Sequence, residues 1–219
     1  MLAPRLLRVS LGVLITAGLA CSAPKVVNTP EPSPSEIATG RPAEELLLEV
    51  RSMPAGFHIA GDGPLSLDAT AEAGAPADAP FRKLFLQGNR FLSAAYRLFE
   101  LENGGAISRT HQVILIVFGD QASAQRAVEH WFTSYKSLRF PEASIGAGLG
   151  DLSRAVASEG TGPGPSGNVI SVFEAIIVYS LGNVMVQASL QDDIGQASVL
   201  ECLTFARLQH TQLKSAIGR

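Results

Sequence analysis

The chain has 219 residues, 46% of them hydrophobic and 17% charged, with 20 acidic against 17 basic side chains. That apolar content is enough for one globular core. The Lys and Arg residues are dispersed rather than clustered, which excludes the basic surface that nucleic acid requires, so no nucleic-acid partner is expected.

The first twenty residues divide as a secretory signal does, with Arg5 and Arg8 ahead of an apolar stretch, Val9 to Leu19, that ends in small residues before Cys21. The uncharged run is too short for a membrane span, which needs about twenty helical residues to cross about 30 Å. The segment Thr16-Ala17-Gly18-Leu19-Ala20-Cys21 resembles the lipobox of bacterial lipoproteins, in which a cysteine after small residues receives diacylglycerol and becomes the new N-terminus. Gly18 stands where a branched apolar residue is typical, so cleavage after Ala20 by an ordinary signal peptidase is the alternative. The resemblance implies lipid attachment at Cys21 and an extracytoplasmic protein held at a bacterial membrane. Once Arg5 and Arg8 leave with the signal, 15 of the 17 basic residues remain against 20 acidic ones, a net charge of −5. The other cysteine, Cys202, lies deep in the last helical pattern, so a disulfide to the tip of a spacer is not expected and Cys202 reads as a small buried hydrophobe.

The organisation expected is a signal peptide over 1–20, a lipid-anchored disordered spacer over 21–42 rich in Pro, Ser and Thr, and a single α+β domain over 43–219. Pro42 with Glu44 and Glu45 predicts a helix presenting Leu46, Leu47, Val50 and Met53 on one face and ended by Pro54. Asp68 to Pro80 predicts a poorly ordered insert, and Pro80 to Gln87 a short helix. Ser93 to Glu102, Asn103-Gly104 and Ile107 to Phe118 read as a hairpin whose second strand is apolar on both faces and therefore central in its sheet. Asp120 caps a helix with a core stripe of Ala124, Ala127, Val128, Trp131, Tyr135 and Leu138.

After a strand expected at Ser153 to Ser158 the order recurs: strand Val169 to Ser180, a turn at Gly182-Asn183, strand Val184 to Leu190 and a helix from Asp193. Its stripe of Val199, Cys202, Leu203, Ala206, His210 and Leu213 repeats the first stripe at a displacement of 75 positions, and Gln121-Ala122-Ser123 becomes Gln196-Ala197-Ser198. A duplicated hairpin-then-helix unit follows as the expectation, giving an α+β fold with one antiparallel sheet and both long helices packed on one face. The pattern of hairpin, helix and Gly-Asp turn resembles secreted bacterial lipoproteins and, more distantly, α+β domains related to the photosystem accessory protein PsbP. That resemblance runs from Glu44 onward and carries no functional residue across.

Motifs that bear chemistry are scarce. Gly146-Ala147-Gly148-Leu149-Gly150-Asp151 lacks GxGxxG spacing and reads as a turn; Thr161 to Gly167 reads as a surface loop, and Ser166 within it lacks a nucleophile elbow. His58, His111, His130 and His210 are far apart and show no metal spacing, so no metal, cofactor or catalytic residue is assigned. Phe91, Tyr96, Phe99, Trp131, Phe132 and Tyr135 read as core aromatics.

Glu174 is the most unusual residue, because Ile170, Val172, Ile176 and Val178 surround it on its strand face. It is expected either to pair with Arg97 or Arg109 or to serve a ligand pocket. The function these features suggest is a membrane-tethered, non-enzymatic module binding a protein partner or a small ligand. An envelope-associated hydrolase with a site assembled from dispersed residues is the alternative.

Overall fold

Residues 41–73, 76–103, 106–146, 148–163, 169–192 and 197–217 are described by the structure, a computed structural model. The signal segment, Cys21 and the spacer as far as Gly40 lie outside the described residues, as do Gly104 of the first hairpin turn, Ser166, and Asp193 at the expected start of the last helix.

Six strands, β1 (Phe57–Leu65), β2 (Phe91–Asn103), β3 (Ala106–Phe118), β4 (Leu152–Pro163), β5 (Val169–Leu181) and β6 (Val184–Asp192), form one antiparallel sheet in the order β1-β2-β3-β6-β5-β4. Among the described residues four α-helices accompany them: α1 (Leu67–Glu72), α2 (Ala79–Gly88), α3 (Gln121–Ser137) and α4 (Val199–Ile217). The α+β antiparallel architecture and the interior place of β3, between β2 and β6, are as the sequence implies. Asp120 caps α3 by accepting a hydrogen bond from Ser123 N–H at 2.7 Å.

The two helices do not share a face. β3 presents Ile114, Ile116 and Phe118 to α3, together with Ile176, Val178 and Met185 of the neighbouring strands. Its alternate residues Val113, Leu115 and Val117 belong to the opposite core with α4, which includes Ile177, Tyr179, Val184 and Val186. The reason lies in β3 itself: a strand apolar on both sides needs a layer on each side, and one helix per face supplies it. Trp131 and Ala206 are both buried, yet in different cores. A two-fold axis normal to the sheet, between β3 and β6, would relate β1-β2-β3 to β4-β5-β6 in that order while keeping every helix on its own face. The halves therefore repeat as three-stranded meanders but not as hairpin-plus-helix units, and the shared spacing expresses only that each helix buries one stripe.

Three other expectations are corrected. Residues 43–53 form two short 3-10 turns, Ala43–Leu46 and Val50–Ser52, and not one helix. Leu46, Leu47 and Leu48 are all buried in succession, which no single helix face permits, and tertiary hydrogen bonds replace helical ones. Leu48 N–H donates to Gln209 Oε1 at 2.7 Å, and Gln209 Nε2 donates to Leu46 O at 2.8 Å. Within the expected insert, α1 forms because Ser66 accepts from Ala69 N–H at 3.1 Å and Thr70 and Ala71 are buried. Strand β1 was not anticipated, since Gly61, Gly63 and Pro64 obscure its alternation; it is an edge strand with a bulge between Ile59 and Gly61, where such residues are tolerated. The last helix starts at Val199, after the Ser198 carbonyl and hydroxyl both accept from Glu201 N–H.

Candidate functional site

Alternation along each strand sorts the side chains of the sheet onto two faces. On the face that α3 covers, cross-strand register groups them into rows. Ala94, Ile116, Met185 and Ser180 form one; Tyr96, Ile114, Gln187 and Val178 the next; Leu98, Gln112, Ser189 and Ile176 the third. The fourth row is polar across all six strands: His58, Glu100, Thr110, Gln191, Glu174 and Ser158. The first row lies buried beneath α3, whereas the fourth is only partly buried, apart from the exposed His58 at the sheet edge.

Glu174 sits in this last row, between Ser158 of β4 and Gln191 of β6. Its carboxyl makes no ion pair or hydrogen bond with another described residue, and burial raises its pKa from the ordinary value of 4.5 to about 7. Neither arginine expected to pair with it does so. Arg97 donates to Asp62 Oδ2 at 2.9 Å and to Leu48 O at 2.8 Å. Arg109 pairs with Asp192 at 2.8 Å and with Glu201. Register opposes Arg97 to Val113 and Arg109 to Asp192, so both point to the α4 face while Glu174 points to the α3 face. Parity of the strand residues forbids the pairing.

At the boundary between the covered and open parts of this face, Tyr135 near the end of α3 donates its hydroxyl to Gln187 Oε1 at 2.8 Å. Burial raises the Tyr135 pKa; the nearby Arg82 acts in the opposite sense and Glu174 in the same sense. A shallow depression of about 230 Å³ at the β4–β5 pair is lined by Glu159, Gly160, Ser171, Val172 and Phe173 and does not include Glu174. By itself it is smaller than pockets that enclose drug-sized ligands, about 300–1,000 Å³.

The remaining sequence candidates are structural or scattered. His111 lies on the α4 face against Phe57 and Phe205, with ring centroids 5.2 and 4.5 Å away, and burial followed by the Arg109 charge lowers its pKa to about 4. His130 and His210 belong to different helices in different layers. Among the described residues no group of three His, Cys, Asp or Glu side chains is placed to hold a metal. Cys202 is fully buried, with Sγ directed at the carbonyls of Ala175 and Ala188, and burial drives its pKa well above the ordinary thiol value. Phe99 packs in the α4-side core, whereas Phe91, Tyr96, Trp131, Phe132 and Tyr135 pack in the α3-side core. The passage before β4 is a turn that docks on the β5–β6 turn: Gly150 has φ +60, and a Cβ there would meet Ser180 O at 2.0 Å. Asp151 Oδ2 accepts from Gly182 N–H at 2.7 Å and fixes the contact.

Sequence reasoning singled out Glu174 but not its row. The alternating polar residues Thr110 and Gln112 in β3, and Gln187, Ser189 and Gln191 in β6, were the available signal. Arg82 gave no signal, being one arginine in a short helix.

These features define an α+β domain built on one antiparallel sheet whose α3 face is polar at one end. No protein-family model matches the chain, and no curated protein matches it. Among solved structures it is similar to the extracellular domain of PknH from Mycobacterium tuberculosis, at 10% identity and a TM-score of 0.48, over 82% of this chain and 99% of that one. It is also similar to a protein from Bacteroides thetaiotaomicron, at 10% identity and a TM-score of 0.33, over 65% of this chain and 40% of that one. Likeness at this level says nothing about activity.

Proposed function

We propose that the chain is an extracytoplasmic, membrane-tethered binding module that takes a small polar ligand on the open row of the α3 face, with Glu174 as the central carboxyl and without catalysing a reaction. The location and tether rest on Arg5, Arg8, the apolar run and Cys21. No described helix is long and apolar enough to cross a membrane; the tether proposed is lipid on Cys21. Lipid at a membrane raises the local concentration of the module near its partners.

One observation carries the binding reading: a desolvated carboxyl with no countercharge, set in a polar row that solvent reaches. A group held at a cost to the fold is a candidate for function. The hydrolase alternative lacks a triad on this row. Strands about 4.8 Å apart put His58, at the β1 edge, roughly 20 Å from Glu174.

Replacing Glu174 by Gln tests the reading. With the folded pKa raised from 4.5 to about 7, the folded state holds the proton more tightly than the unfolded chain does. Stability is therefore full below pH 4.5 and falls as pH rises through 7, by on the order of 2 to 3 kcal/mol. Chemical denaturation at pH 8 should show Glu174→Gln to be as stable as the parent or more so, with this pH dependence gone. A loss of about 1 to 3 kcal/mol at every pH would mean a structural pairing and would defeat the pocket. The tether is tested separately by mass spectrometry of the native N-terminus; an unmodified Cys21, or a mature start elsewhere, would sink it.

A further inference from the structure

Arg82 is a cation buried at the junction of α2 and α3. It is 0% exposed, yet it forms no ion pair with any described residue. Its Nη1 donates to Ala73 O at 2.6 Å, and the guanidinium lies 4.6 Å from the Trp131 ring centroid and 5.2 Å from that of Tyr135. Nε and Nη2 are buried and have no hydrogen-bond partner. Next to it, His130 stacks on Phe85 at 4.4 Å and stands 5.7 Å from Trp131, and its Nε2 is also buried without a partner. Asp78, at the start of α2, is the acidic group that acts on His130.

The pattern of orphaned atoms is informative. Nε and Nη2 form one edge of the guanidinium, and that edge presents two parallel N–H donors matched to the oxygens of a carboxylate or phosphate. Two aromatic faces, the Ala73 carbonyl and the Tyr135 hydroxyl, whose pKa a hydrogen bond from Arg82 lowers, only partly offset the burial of a cation, while a bound anion would satisfy the free Nε–Nη2 edge. Such a charge is not explained by packing, since an apolar side chain would fill the same space at lower cost.

We propose that Arg82 and His130 form a binding site for a small oxyanion, a carboxylate or phosphate group, at the junction of α2 and α3. Arg82 receives the anion on its Nε–Nη2 edge, and His130 Nε2 supplies a further contact. Because the edge is closed to solvent, the anion enters as α2 lifts from α3, and binding offsets the opening. The site uses residues separate from the Glu174 row and stands whether or not that row binds a ligand.

Trp131 is the only tryptophan and lies against the guanidinium, so its emission reports on the site without a label. The full mature chain is titrated with sodium phosphate, and in a second arm with sodium acetate, at an ionic strength held constant with sodium chloride. A saturable change in Trp131 emission is expected in at least one arm, and the arm that responds identifies the anion. Arg82→Met should weaken it by about tenfold or more, and Arg82→Lys, which keeps the charge but loses the fork, by less. Glu174→Gln should leave it within about twofold of the parent, which separates failure here from failure of the open-row reading. Absence of a saturable change in both arms, or an equal response to chloride, overturns the proposal, as does an undiminished response in a folded Arg82→Met variant. If that variant does not fold, the chloride-controlled titration of the parent chain decides alone.

Discussion

The two faces of the sheet are built from the same strands and differ in how completely they are closed. On the α4 side, Val113, Leu115, Ala188, Ile177 and their neighbours lie under α4 and the buried leucines of residues 46–48. The charges at its margin are matched, Arg97 by Asp62 and Arg109 by Asp192 and Glu201. The α3 side is as tightly closed near Phe118 and Trp131 but opens toward Glu174, and it keeps two ionisable groups, Arg82 and Glu174, without a charge partner among the described residues. Unmatched charge beneath a helix or beside an opening is costly, and such groups are candidates for a role other than stability. Both faces carry a packed core, and the α3 face alone keeps Arg82 and Glu174 without a charge partner among the described residues.

The largest test of that contrast is to remove one core side chain from each closed region. Trp131→Ala and Leu115→Ala should each destabilise by about 2 to 5 kcal/mol in chemical denaturation, since both are essentially fully buried. A cost below 1 kcal/mol for either would show that its face is not packed as described. A smaller effect sharpens the account of the α4 side. Gln209→Ala removes both side-chain hydrogen bonds to the Leu46–Leu48 backbone and should cost about 1 to 3 kcal/mol, with faster amide exchange at Leu48. Unchanged exchange there would mean that apolar packing alone holds the segment.

How much of this was legible beforehand follows from which forces act locally. The hairpin, the Asp120 cap and the two helical stripes were readable because alternation, capping and 3.6-residue spacing are local patterns. The face assignment was inferred wrongly although the information was present: Val113 to Phe118 are apolar at every position, and such a run already demands cover on both sides. Residues 43–53 were misread as a helix because their hydrogen bonds come from Gln209, more than 160 positions away, and no local rule sees that. The partner proposed for Glu174 failed for a related reason. Charge complementarity can be read from composition, but the parity that puts Arg97 and Arg109 on the other face depends on strand register, which only the assembled sheet fixes.

The central claim is that Glu174 is a carboxyl without a countercharge at the open end of the α3 face. The most direct measurement is an NMR titration of its side-chain carboxyl carbon in the mature protein. A midpoint near pH 7 is predicted, from the burial that raises its pKa to about 7. A midpoint at or below the ordinary value of 4.5 would reveal a cation or donor beside it and would contradict the account.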